Sequence, residues 1–208
     1  PGTTFNPVYA ALLLIGVVSS HISVNLFNEY SDNKTRIDHN TPRTPFSGGS
    51  GVLSSGLLSS ASVFKAAVIT LVIALAIGIY FAVTVHWFIF LLAGSGAFSI
   101  LFYTPFLAKL QLGELFSGLT LGTFVVLGSY VVMTASPGMA LTELFPIDVL
   151  LMSIPPGILT ALLLLINEFP DMEADKQGGR NHLVIWLGRK KAAYVYVSGM
   201  VATFGVII

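Results

Sequence analysis

The 208-residue chain has no cysteine and little charge. The first absence excludes disulfides, thiolate metal sites and a cysteine nucleophile, and it leaves the redox compartment unread. The second is sharper. Charged residues make up 10% of the chain and hydrophobic residues 54%, whereas an ordinary soluble domain is about 25% charged, so this is the composition of a membrane protein. Basic and acidic residues cancel, and the basic ones never form a long run; the footprint of a nucleic-acid binder is missing. There is no repeat at the scale of a solenoid. The first residue is Pro1, with no methionine or basic stretch ahead of an apolar one, so no signal peptide is read. The chain reads as one transmembrane domain over residues 1–208, and as a fragment.

What the sequence has in abundance is uninterrupted apolar stretches. Crossing a hydrocarbon core about 30 Å thick takes about 20 apolar helical residues, and six candidates stand out. They are 7–27, with His21 as its only ionisable group; two spans within 66–108, which has no Asp, Glu, Lys or Arg and divides near His86; 115–134; 149–166; and 192–208. The expected fold is all-α, a polytopic transmembrane helical bundle of six spans. Threading them places 28–65, 109–114 and 167–191 on one side and the turns near 86 and 136–147 on the other. Lys34, Arg36, Arg43, Lys65, Lys109, Lys176, Arg180, Arg189, Lys190 and Lys191 all fall on the first side. By the positive-inside rule that side is cytoplasmic.

Both acidic clusters lie there too, each where a span ends. "NLFNEYSDNKTRID" runs from Asn25 to Asp38, and "INEFPDMEADKQGGRNHL" from Ile166 to Leu183. Helical residues four apart share a face, so Asn28 aligns with Asp32, and Asn167 with Asp171 and Asp175. Asn25 lies a turn before Asn28. The interior Pro170 removes a helical hydrogen bond and is expected to kink the second stripe. One such Asp is ordinarily a polar cap where a helix leaves the membrane. Two clusters with the same Asn-to-Asp spacing, ending at one membrane face, point instead to function, because carboxylates at membrane depth are costly. The donors are all oxygen, which suits a hard cation such as Mg²⁺, and Mg²⁺ takes few protein carboxylates plus substrate phosphates. Two small sets fit two ions gripping one diphosphate. Glu29 and Glu168 project about 100° from the stripes and read as supporting groups, while Glu173 lies off the stripe. Arg43, Lys109, Lys176 and Arg180 are candidates for the diphosphate oxygens, Arg bidentately and Lys as a point charge. Arg189, Lys190 and Lys191 immediately precede a span and read as topology markers. The "SGGSG" of 47–51 lacks the Lys-Ser/Thr of a P-loop and is weak evidence for an anion site.

These residues resemble the UbiA-type intramembrane prenyltransferases over nearly the whole chain. "NEYSDNKTRID" resembles the family's first Asp-rich motif in its longer-spaced form, from Asp32 to Asp38. "NEFPDMEADKQGGRNHLVIWLGRKKA" is similar to the second, as written in the 1,4-dihydroxy-2-naphthoate prenyltransferase branch. Between them Tyr103, Pro105, Lys109, Gly113 and Glu114 match the Tyr-Pro-Lys-Gly-Glu stretch. Glu29, where many members have Asp, and Asn33 to Arg36, where an aromatic and Gly are common, depart from the pattern without touching the expected ligands.

The resemblance implies a helical bundle around a central cavity, with the family's first and last helices lacking here, in a bacterial or archaeal inner membrane. It implies transfer of a polyprenyl group from its diphosphate to an aromatic acceptor among membrane lipid. Two Mg²⁺ ions, or Mn²⁺, would be held by Asn28, Asp32, Asn167, Asp171 and Asp175. Basic groups, Lys109 among them, would stabilise the leaving oxygen, and Tyr103 would stand near the allylic cation; without the resemblance, that tyrosine reads as an interfacial belt residue. Asp38 would bind metal, or orient or deprotonate the acceptor. The branch points to 1,4-dihydroxy-2-naphthoate and menaquinone biosynthesis, with 4-hydroxybenzoate, a chlorophyll precursor or a glycerol-phosphate lipid as alternatives. A cation transporter is the competing class, but it needs acidic groups near the bilayer midplane on discontinuous helices. A membrane scaffold would require neither cluster.

Overall fold

A computed structural model describes residues 5–37, 49–104 and 106–207. The expected site residues Asp38 and Arg43, with Pro105 of the central motif, lie outside them. Helix α1 is Pro7–Thr35. Pro7, whose missing N–H costs nothing in a first turn, follows Asn6, whose Oδ1 accepts from the Val8 and Tyr9 amides at 3.1 and 3.2 Å. Helix α2 is Ser60–Thr84, capped by Ser59, and α3 is Ile89–Phe102. After a 3₁₀ turn at Leu107–Lys109 comes α4, Gly113–Thr134, then the single turn α5 at Leu141–Leu144. Helix α6, Ile147–Gln177, is followed by the short α7, Leu183–Leu187, and by α8, Arg189–Ile207. No strand occurs among the described residues.

Of the six expected spans, four are long and apolar enough to cross a membrane: α1, α2, α4 and α6. The division at His86 is found, but α3 has 14 residues, about 21 Å at 1.5 Å per residue, because the chain leaves the helix at Tyr103. Helix α8 opens on Arg189, Lys190 and Lys191, which shortens its apolar part. The expected grouping of chain ends is also found. The Leu183 amide donates to Glu114 Oε1 at 2.9 Å, tying 167–191 to 109–114, and the Asn181 amide donates to the neighbouring Ala108 carbonyl at 3.0 Å. At the other end the Phe88 amide donates to His86 Nδ1 at 3.2 Å, so His86 Nε2 carries the proton and donates to the Met139 carbonyl at 3.1 Å.

The outer surface is apolar, with large side chains such as Val83, Ile147 and Met152 exposed on it. Lipid is as apolar as these side chains, so helix association must come from close packing and interhelical hydrogen bonds. Ser23 Oγ, buried, donates to Ala67 O on α2 at 2.9 Å. Helix α4 meets α6 backbone to backbone. A Cβ on Gly122 would stand 2.6 Å from Gly157 Cα, and one on Gly118 2.7 Å from Gly157 O. Gly118 and Gly122 form a small-xxx-small pair, and Thr123 Oγ1 donates across the crossing to Ser153 O at 3.1 Å. The stretch Gly118–Thr123 is π-helical, a widened turn of the kind often found beside functional sites. Pro155, Pro156 and Pro170 all lie within α6, which continues through each as one helix; the carbonyl freed by a proline can be met from neighbouring helices.

Gly122→Val should therefore force α4 and α6 apart and cost about 1–3 kcal/mol of stability. Gly94→Ala, where an added Cβ meets nothing within 4 Å, should cost nothing measurable. Thermal unfolding in detergent, followed by loss of the monodisperse peak on gel filtration, distinguishes the two; equal midpoints would show that the crossing is not tight.

Candidate active site

The site forms where α1, α6 and two connecting segments end together. On α1, Asn28 and Asp32 face the same way, and Asn28 Nδ2 donates to Asp32 Oδ2 at 2.9 Å. On α6, Asp175 occupies the last turn. The chain then reverses through Gly178 and Gly179. A Cβ on Gly178 would overlap Ile37 at 2.3 Å, and Gly179 has φ +83°, a left-handed conformation that glycine adopts without strain. The reversal, held by the Arg180 amide donating to Asp175 O at 2.9 Å, turns the Arg180 side chain back into the bundle.

Its guanidinium joins the two clusters. Nη1 donates to Asp175 Oδ1 at 2.8 Å, and Nη2 donates to Asn28 Oδ1 at 2.9 Å and to Asp32 Oδ1. Thr104 Oγ1, from the segment after α3, donates to the same Asn28 oxygen at 3.3 Å. Asp32 and Asp175 are 4% and 2% exposed, so this is a buried ion triad. Burial opposes the Arg180 charge, but the carboxylates of Asp32 and Asp175 outweigh it and hold the guanidinium more firmly protonated than a free one. Burial, reinforced by Glu168, Glu114 and Asp175 against the opposing pull of Arg180, pushes the Tyr103 phenol above its usual range. Tyr103 is therefore a neutral ring at the site.

Behind the triad lies a second polar layer. His182, buried, stands with Nε2 3.2 Å from Asp175 Oδ2 and Nδ1 3.3 Å from Glu168 Oε2. Glu114 Oε1 accepts from the Leu183 amide at 2.9 Å. Asp175 is thus bonded on one side by Arg180 and neighboured on the other by His182. Four buried carboxylates, those of Asp32, Glu114, Glu168 and Asp175, face one arginine and one histidine. The site carries an excess of formal negative charge.

Below the triad a cavity of about 280 Å³ is lined by Asn25, Asn28, Tyr103, Asn167 and the apolar side chains of Leu163 and Leu164, among others. A second, of about 150 Å³ and lined by Leu13, Leu71, Leu92 and Phe124, shares His21, Ile100, Thr120 and Leu121 with the first. Together they trace an apolar path from the polar site into the bundle.

The expected site residues are therefore distributed unevenly. Asn28, Asp32, Asp175 and Arg180 meet. Asn167 faces the cavity beside Asn28 and Tyr103, and Asp171 lies half-buried one turn before Asp175 on α6. Lys109 and Lys176 are exposed and make no hydrogen bond or ion pair with the cluster among the described residues. Glu29 does a different job from its neighbours: its carboxylate accepts from Ser50 N and Oγ at 3.1 and 2.7 Å, pinning the start of the segment that leads to α2. His182 and Thr104 went unrecognised in the sequence. His182 lies beyond the end of α6, where helical periodicity has no force, and its only signal is a histidine close after an acidic stripe.

No group of three or more His, Asp or Glu side chains poised for a metal occurs among the described residues. The donor set still fits a hard divalent cation by its chemistry: oxygen ligands from two helices, buried, with negative charge in excess. Arg180 stands among those oxygens.

Apolar helices enclosing a cavity, with two acidic clusters joined over its mouth, define an integral membrane protein with a polar site at one end of its bundle. The chain matches the UbiA prenyltransferase family over residues 1–208, and it belongs to that family. It is 32% identical, over 210 residues, to 1,4-dihydroxy-2-naphthoate octaprenyltransferase of Bacillus subtilis (strain 168), across 92% of this chain and 62% of the relative. The chain thus spans less than two thirds of that relative's length. No solved structure matches it. Members of the family generally use divalent metal ions.

Asp175→Asn would leave Arg180 and His182 facing a neutral amide. Removing one partner of a buried pair costs about 3–5 kcal/mol, so this variant should unfold well below the parent, whereas Glu173→Gln, at an exposed position, should stay within about 0.5 kcal/mol. Matched unfolding curves for both in the same detergent provide the check.

Proposed function

We propose that this protein transfers a polyprenyl group from its diphosphate to an aromatic acceptor, 1,4-dihydroxy-2-naphthoate, as one step in menaquinone biosynthesis. The observation that carries this reading is the meeting of the two acidic clusters over an apolar cavity in a chain of the UbiA family. The acceptor rests on the similarity to the Bacillus subtilis enzyme.

Asn28, Asp32, Asn167, Asp171 and Asp175 would hold two Mg²⁺ ions. A bound divalent cation supplies neutralisation of the diphosphate, which makes it a better leaving group. The protein's own groups do the rest. Arg180 offers donors to phosphoryl oxygens, and Lys109, Lys176 and Arg43 are further cations for the diphosphate. The allylic carbon–oxygen bond breaks with its electron pair leaving on the diphosphate. The acceptor ring then supplies the pair for the new carbon–carbon bond, with Asp38 orienting or deprotonating the acceptor. The ring regains aromaticity when the bond to that carbon's former substituent breaks and returns its pair to the ring, releasing carbon dioxide from the carboxylate-bearing carbon or a proton from an unsubstituted one. Tyr103, neutral, presents its ring face to the developing cation. The apolar cavities hold the prenyl tail and keep water from it. The basic side chains on this side of the chain's topology support a cytoplasmic active face.

Membranes holding the full-length protein, given labelled prenyl diphosphate and 1,4-dihydroxy-2-naphthoate, should form prenylated product, and exhaustive chelation should abolish it. Asp32→Ala and Asp171→Ala should each lower turnover by more than about a hundredfold, with the double variant little worse, since groups acting as one unit are non-additive. Glu143→Ala, in the opposite loop, should be mild. Product formed after chelation, or multiplicative losses at Asp32 and Asp171, would count against the reading.

Sidedness has its own test. Because the chain lacks cysteine, single cysteines at Ser47 and Ser136 can be probed with an impermeant maleimide. The first should label only from the cytoplasmic side and the second only from the other; labelling of both from one side would overturn the topology.

A further inference from the structure

The guanidinium of Arg180 donates its hydrogen bonds to Asn28, Asp32 and Asp175, whose oxygens the reading above gives to the metal. One set of oxygens cannot serve a guanidinium and a divalent cation at full strength together, because both are cations drawing on the same few lone pairs. We propose that Arg180 is a built-in competitor for the metal position, a tethered cation that bridges Asp32 and Asp175 until metal and diphosphate arrive together and its guanidinium passes to the phosphoryl oxygens. This rests on the metal-and-diphosphate reading and adds to it an order: metal alone binds weakly, and the diphosphate, by giving Arg180 a new partner, frees the oxygens.

Two further observations support the transfer. Arg180 Nε is buried and has no hydrogen-bond partner among the described residues, so the side chain holds an unmet donor that a phosphoryl oxygen would satisfy. The residue also follows a turn that is itself fixed, by Gly178 packed against Ile37 and by the Arg180 amide on Asp175 O at 2.9 Å, so the movement is that of the side chain alone. Behind it His182 Nε2 lies 3.2 Å from Asp175 Oδ2, so Asp175 keeps a polar neighbour when the guanidinium leaves. The arrangement also keeps the site formed before substrate arrives, since without Arg180 the carboxylates of Asp32 and Asp175 would be buried face to face.

The test is Mn²⁺ binding to the purified full chain, without prenyl substrate, read from the free-ion electron paramagnetic resonance signal. Arg180→Ala should bind Mn²⁺ about tenfold more tightly than wild type, and Arg180→Lys, which keeps one charge and loses the fork, should lie between. In EDTA the Arg180→Ala protein should unfold at a lower temperature than wild type, and Mn²⁺ should raise its midpoint by more than it raises that of wild type. If Arg180→Ala does not survive purification even with Mn²⁺, the lysine variant decides. Mn²⁺ affinity equal to or weaker than wild type in the folded variants overturns the proposal. That failure is separate from failure of the prenyltransferase reading, which would show as a wild-type protein that forms no prenylated product.

Discussion

The structure depends on one constraint: charge placed at the end of an apolar bundle must be paired. Asp32 and Asp175 come from helices far apart in the chain and are almost wholly enclosed, and an isolated carboxylate in such surroundings would cost several kcal/mol. Arg180 offsets part of that cost for both at once, and its planar fork is what allows one side chain to reach Asn28, Asp32 and Asp175 together. A lysine, as a single point charge, could not span them in the same way. Fixing Arg180 also fixes the reversal at Gly178 and Gly179, and with it the Asn181 amide on Ala108 O and the Leu183 amide on Glu114. The polar end of the bundle is therefore one connected unit, from α1 to the start of α7.

The remainder of the bundle is held by different means. Since the outer surface faces lipid, burial of leucine and valine adds little between helices, and contact distance matters more. Gly118, Gly122 and Gly157 let α4 and α6 approach to backbone contact, and the π-helical turn at Gly118–Thr123 leaves Ser117, Thr120 and Leu121 lining the cavity. Close packing at that crossing and open volume beside it belong together: the glycines hold α4 against α6, and on the side away from the crossing α4 borders a space that could receive an isoprenoid chain.

How much of this was legible in the sequence follows from which forces are local. Composition and run length gave the helical membrane class, because the hydrocarbon core imposes a length on any span. The break at His86 was visible for the same reason, since 66–108 is too long for one crossing. Where a helix stops is less local. Helix α3 ends at Tyr103 to deliver Thr104 to Asn28, and nothing in the apolar run announces that. The stripes Asn28–Asp32 and Asn167–Asp171–Asp175 were legible because helical periodicity carries them. The partner that joins them was named as a diphosphate-binding candidate, and its bridging of both clusters was not foreseen. That bridge depends on a turn made after α6 has ended, as does the position of His182.

The same distinction bears on the competing transporter class. A transport site needs ionisable groups near the midplane, reachable in turn from both sides. Here the buried carboxylates of Asp32, Glu114, Glu168 and Asp175 all lie at the end of the bundle where α1 and α6 finish, and the opposite end is closed by His86 on the Met139 carbonyl and by the buried side chains of Phe81, Val131 and Leu144. Deeper in the bundle, the second cavity is apolar except for His21, Ser20, Thr120 and Ser129. Among the described residues no Asp, Glu, Lys or Arg lines either cavity, so an ion leaving the carboxylates meets no charge along the way, whereas an isoprenoid tail meets a surface of its own polarity. A charged head held at one end and an apolar tail running inward are the two requirements of an amphipathic substrate, and the distribution of polarity along this bundle supports that substrate rather than a travelling ion.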